Sequence, residues 1–208
     1  MIDPMTDPTT DPMPRRAPLL LLLLALLAAG CGGGSSAPRS MAELINPALG
    51  PDYSSWMVGA AARLATPEEI NEYLTLPGDP AAAAFIERFW QRRDPSADKP
   101  GNPVREAFDE RSAIADHRYS ESGLLGRHSD RGAVYVLYGL PKKIDHEVSP
   151  IPNGPPVEVW IYGPEAPSGL DGKRPSPFYR FVKSGDRTVL YSGRPASGVF
   201  LPPPGEPQ

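Results

Sequence analysis

Three consecutive residues, His128-Ser129-Asp130, are the types from which a base, a nucleophile and an orienting acid are built. Their adjacency argues against that use. Neighbouring side chains diverge along the backbone, and catalytic triads are assembled from distant positions. No catalytic residue is assigned from them. The surrounding run Gly126, Arg127, His128, Ser129, Asp130, Arg131 and Gly132 has a simpler reading. Glycines permit tight turns, Ser and Asp accept backbone N–H bonds as caps, and Arg131 offers a planar fork to a carboxylate. The run is read as a loop that pins a helical half to the first strand, with ligand or partner binding as the alternative.

Arg88, Arg92 and Arg93 form a second polar group, with Lys99 nearby. Cations near the end of a helix complement its dipole. The functional alternative is contact with a phosphate headgroup or an anionic envelope polymer. The three histidines, His117, His128 and His146, form no i, i+4 pair, so no metal site and no cofactor are expected. The single cysteine, Cys31, excludes an intrachain disulfide and any zinc site built on several thiolates. A net charge of -4 argues against a nucleic-acid binder driven by overall basicity.

The elements that must position these residues fall into two halves. Thr66-Pro67-Glu68-Glu69 predicts a helix start, with Thr as N-cap, Pro at the first position and Glu three after the cap. Asp79-Pro80 repeats the device ahead of a helix carrying Phe85, Ile86, Phe89 and Trp90 on one apolar face. Asn102-Pro103 opens a longer helix with Val104, Phe108, Ala115 and Tyr119 inward. An earlier helix is expected over about 54–65. From Gly132 the period changes. Ala133 to Gly139, apolar throughout, predicts a central strand. Further strands are expected at 142–148 and 157–162. A hairpin is expected at 178–183 and 188–192, turned by Ser184-Gly185-Asp186. Helices followed by strands predict an α+β fold, with N-terminal helices packed on a C-terminal antiparallel β-sheet. No nucleotide-binding glycine loop occurs.

The chain ends are of another kind. Arg15 and Arg16 precede an eleven-residue apolar run from Leu19 to Ala29, too short to span a bilayer, which takes about 20 residues. Upstream lie three Asp-Pro units, so Met13 is the expected start of translation. The run closes on Leu27-Ala28-Ala29-Gly30-Cys31. Small residues before a Cys resemble the lipobox of bacterial lipoproteins. The resemblance implies a signal peptide over 1–30 and a diacylglyceryl group on the Cys31 thiol. It also implies acylation, for example with palmitate, of the new amino group. Residues 31–40 follow as a Gly/Ser tether. Gly32 in place of Asp implies outer-membrane sorting in a two-membrane source. Much of the content of 28 Pro and 20 Gly is punctuation, and part of it forms a Pro-rich tail over 195–208, expected to be disordered or extended.

Two stretches carry a further resemblance. They are Phe85-Ile86-Glu87-Arg88-Phe89-Trp90-Gln91-Arg92-Arg93-Asp94-Pro95 and the run from Gly126 to Gly132 with Tyr135, Tyr138-Gly139 and Pro141. Together with Glu158-x-Trp160-x-Tyr162 they resemble the GWxTD domain of bacterial secreted proteins and lipoproteins, over about 66–192. Gly126 and Asp130 stand at the Gly and Asp of the motif, Arg127 at its Trp and Ser129 at its Thr. The resemblance implies a fold and an envelope location and carries no established activity.

The leading expectation is a non-enzymatic, membrane-anchored envelope lipoprotein with its domain over 41–194. Its partners are the membrane, through the lipid anchor, and another envelope protein, with no nucleic acid. The alternatives are a hydrolase using Asp130 with His128 or a distant carboxylate such as Glu158, and a module binding cell-wall glycan through the Arg cluster.

Overall fold

The computed structural model describes residues 39–96, 98–149 and 153–191. The expected leader, Cys31, most of the tether and the Pro-rich tail lie outside the described residues.

The fold is α+β. Helices α1 (Pro51–Ser54), α2 (Ala60–Leu64), α3 (Pro67–Leu74), α4 (Asp79–Gln91), α5 (Pro103–Tyr119) and α6 (Asp130–Tyr138) precede four strands. These are β1 (Lys143–Glu147), β2 (Val157–Ile161), β3 (Phe178–Ser184) and β4 (Arg187–Leu190), an antiparallel meander in the order β1-β2-β3-β4. No helix among the described residues is long and apolar enough to cross a membrane.

Local signals set the helix starts. Thr66 Oγ1 accepts from the Glu69 N–H, and Glu69 Oε2 accepts from the Thr66 N–H at 2.9 Å, closing the capping box. Asn102 Oδ1 accepts from the N–H groups of Val104 and Arg105, both at 3.1 Å. Its amide donates back to Trp90 O, tying the end of α4 to the start of α5. At α4 the cap is Gly78. Asp79 is the first helical residue and accepts from the Gly50 N–H instead.

Two expectations are corrected. The helix expected over 54–65 is split into α1 and α2. Gly59 between them has φ +80, a conformation that glycine adopts without strain. Of the segment 133–139, expected as a central strand, residues 133–138 lie in α6 and Gly139 caps its end. Residues 132–137 are all buried because α2, α5 and β4 surround the helix. A helix apolar on every side loses the 3.6 period that would distinguish it from a buried strand. The overlooked signals are the Ser129 cap and Gly139, where α6 stops with φ 74. The hairpin forms as expected, with Ser184 paired to Arg187, so its turn has two residues, Gly185 and Asp186.

The core runs from the helices into one face of the sheet. Phe85, Phe89 and Trp90 are buried among Trp56, Tyr73 and Phe108. On the inner face of the sheet Phe181 packs on Trp160, and Trp160 meets Tyr119 of α5, which also contacts Tyr135 of α6. Burying each such side chain contributes about 1.5–3 kcal/mol.

Candidate functional site

The motif loop is a latch built on α6. Ser129 Oγ accepts from the Gly132 N–H at 3.0 Å and donates to Gly126 O at 2.7 Å. The hydroxyl is therefore engaged in both directions and buried. The glycines are required for close approach. A Cβ on Gly126 would lie 1.8 Å from Ala115 O of α5, and one on Gly132 would lie 1.7 Å from Gly126 O. Asp130 Oδ2 accepts from the Leu190 N–H of β4 at 2.7 Å, and its other oxygen lies 3.6 Å from Arg63. Arg131 stands between two carboxylates, Glu121 at 3.1 Å and Glu158 of β2 at 3.2 Å. Glu121 also accepts from the Thr188 N–H of β4, and Glu158 from the Trp160 indole. The segment expected as the first strand is α6, and the loop pins the helices to β2 and β4.

Arg127 binds Asp116 of α5. Its N–H reaches Oδ1 at 2.8 Å and its Nε reaches Oδ2 at 2.7 Å. Burial, with Arg127 alongside, holds the His128 imidazole below its usual range, while Asp116 pulls the other way. His128, Ser129 and Asp130 are not brought into one relay, since Ser129 and Asp130 each serve a different backbone group. Among the described residues no group of three or more His, Cys, Asp and Glu side chains could hold a metal ion.

The arginines in the last turn of α4 and just beyond it are bound to α3. Arg88 pairs with Glu72 at 2.7 Å, and Arg92 and Arg93 converge on Glu69 at 2.7 and 2.6 Å. Arg93 also donates to Leu64 O and Phe89 O, and its guanidinium lies 3.5 Å over the Phe89 ring. Burial pushes the Glu69 carboxyl up. Hydrogen bonds from Arg93, the Thr66 N–H and Arg92 outweigh it and bring the pKa down to about 2. An external anion would have to displace these carboxylates.

The sheet carries a surface that sequence reasoning did not single out. Lys143, Ile161 and Phe178 stand in one cross-strand row on the face away from the helices, since Lys143 pairs with Ile161 and Ile161 with Phe178. Beyond this row the loop over 163–177 folds back, held by the Tyr162 N–H donating to Pro177 O at 3.0 Å. Between row and loop runs an open groove of about 850 Å³. Pro164, Pro175 and Pro177 form its loop side. Its charged lining residues are Lys142, Lys143 and Arg174, all cationic. Lys142 pairs with exposed Glu165 at 2.7 Å and Lys143 with exposed Asp145 at 2.6 Å. Arg174 donates to Pro164 O, and no carboxylate among the described residues pairs with it.

The groove adjoins β1, which is exposed at all five positions and ends the sheet on that side. Ile144 and Phe178 are each about half exposed. The His146 N–H is taken by its neighbour Asp145 at 2.9 Å, a local plug on an edge donor. By contrast β4, the other end of the sheet, packs on α6 and gives its Leu190 N–H to Asp130. Strand position at an edge depends on pairings across the chain, so the sequence around 142–148 held no signal for it beyond its charge.

No family model, curated protein or solved structure matches this chain.

Proposed function

We propose that this chain is a membrane-anchored envelope lipoprotein, lipidated at Cys31, whose GWxTD-like α+β domain binds another envelope protein rather than turning over a substrate. The observation that carries the binding reading is the contrast at the sheet's two ends. β4 is covered by α6, whereas β1 is exposed at every residue and leaves one edge without a strand partner among the described residues. Unpaired strand edges are surfaces on which another chain can add. The lipobox-like Leu27 to Cys31 supports the anchor, and Gly32 supports the outer membrane facing the periplasm. The resemblance over 66–192 supports an envelope location.

Metabolic labelling with palmitate tests the anchor. Label should enter the protein and be lost in Cys31→Ala; label retained in Cys31→Ala overturns it. In-cell crosslinking of the lipidated protein tests binding. A defined adduct is expected, and a chain that remains monomeric under crosslinking overturns the reading. Purified sacculi test the glycan alternative, which predicts pull-down lost in Arg88→Glu/Arg92→Glu.

A further inference from the structure

We propose that the cationic groove and the adjoining edge of β1 together receive an extended peptide segment of a partner protein, one that carries a carboxylate side chain among apolar ones. The inference rests on the partner-binding reading above and names the chemistry of the segment.

Three observations point the same way. The groove's charged lining is entirely cationic in a chain of net charge -4. Lys142 and Lys143 are held only by exposed carboxylates, and such pairs are worth little, so an incoming carboxylate can replace Glu165 or Asp145 at small cost. Arg174 has no carboxylate partner among the described residues and offers a planar fork for one.

The apolar part follows from the lining. Ile161 and Phe178 line the groove beside Lys143 on the outer face of the sheet, and Phe178 is about half exposed. An amphipathic occupant covers them, whereas a small inorganic anion does not.

The extended conformation follows from register. The row Phe178–Ile161–Lys143 reaches the edge of the sheet at Lys143. A strand added beside β1 continues that row. Its residue opposite Lys143 is the position at which a carboxylate meets a cation across the pair. The next residue but one on the same face lies farther along β1, near Asp145, where a second acid would be repelled. The acid therefore belongs at the groove end of the segment. Asp145 also blocks the His146 N–H, so pairing along β1 requires Asp145 to move away. A carboxylate that takes Lys143 from Asp145 favours that movement.

The test uses the full lipidated protein in detergent and two fluorescent nine-residue peptides. One has a single Glu near one end of a Val/Phe-rich extended sequence, and the other has Lys at that position. Anisotropy should show at least tenfold tighter binding of the Glu peptide, and the combined variant K143E/R174E should reverse the preference. Equal affinity for both peptides, or an unchanged preference in the variant, overturns the proposal. Vesicles of phosphatidylglycerol and phosphatidylcholine form a third arm. Arg174-dependent binding to them without a preference between peptides assigns the groove to a membrane surface and also overturns it.

Ile45 and Leu125 are exposed apolar residues that do not line the groove, and a photo-crosslinking residue placed in cells at Ile144, Phe178, Ile45 or Leu125 separates the two readings. Adducts from Ile144 and Phe178 support the groove. Adducts from Ile45 or Leu125 alone overturn the groove but leave partner binding standing. Absence of adducts from all four overturns both.

Discussion

The latch around α6 and the groove beside β1 both carry arginine or lysine next to carboxylates, yet they use charge in opposite ways. In the latch Arg131 has Glu121 on one side and Glu158 on the other, with only about a fifth of its side chain exposed. In the groove Lys142 and Lys143 meet Glu165 and Asp145 at the surface, and all four side chains are more than half exposed. Removing one partner of a buried pair leaves an uncompensated charge, which is costly. Exchanging an exposed partner for another costs little. The latch therefore holds the fold, whereas the ion pairs of the groove can be exchanged at little cost to it. Residue type alone does not separate them; burial does.

The largest expected effect breaks the latch sterically. Gly132→Ala places a methyl group 1.7 Å from Gly126 O, within the backbone of the loop itself. It should destabilise the protein by about 3 kcal/mol or more. Urea unfolding measures this, and a wild-type midpoint would remove the close-approach argument.

Next is the charge at its centre. Arg131→Met leaves Glu121 and Glu158 facing each other without a cation. The expected loss is about 2–3 kcal/mol, below the 3–5 kcal/mol of a fully buried pair because Arg131 is partly exposed. Replacing Glu121 as well, in Arg131→Met/Glu121→Gln, should recover part of that loss, and a double-mutant cycle reads the coupling.

A pH-dependent effect of similar size belongs to Glu69. Its folded pKa of about 2 lies below the unfolded 4.5, so its contribution to stability is present above pH 4.5 and is lost as pH falls toward 2. The contribution is on the order of 3 kcal/mol. Glu69→Gln should lower stability at neutral pH and flatten the acid limb between about pH 4.5 and 2. A limb of unchanged slope would assign the acid sensitivity elsewhere.

The smallest effect is on the groove side. Lys143→Glu and Arg174→Glu should each change stability by no more than about 0.5 kcal/mol. A change as large as that of Arg131→Met would show that the two regions do not differ as described.

Much of this contrast was hidden from the sequence. Arg131 was legible as half of an ion pair because a guanidinium beside Gly and Asp has few other uses. Its partners were not, since Glu121 lies 10 residues away and Glu158 lies 27. The Arg88, Arg92 and Arg93 group was legible as one helix face, but the carboxylates that engage it come from α3. The groove left no trace in spacing. Its cations come from the start of β1 and from the loop before β3, which only the meander brings together.

The sequence by itself determined the elements whose signals close within a few residues. These are the capping box of Thr66 and Glu69, the Asn102 cap and the hairpin around Gly185 and Asp186. Each is a local hydrogen-bonding arrangement that needs no distant partner. Tertiary structure decided that residues 130–138 coil rather than extend, because burial on all sides erases the periodicity that would have told helix from strand. It also decided that Asp130 holds a backbone group sixty residues away, a contact for which no spacing rule exists.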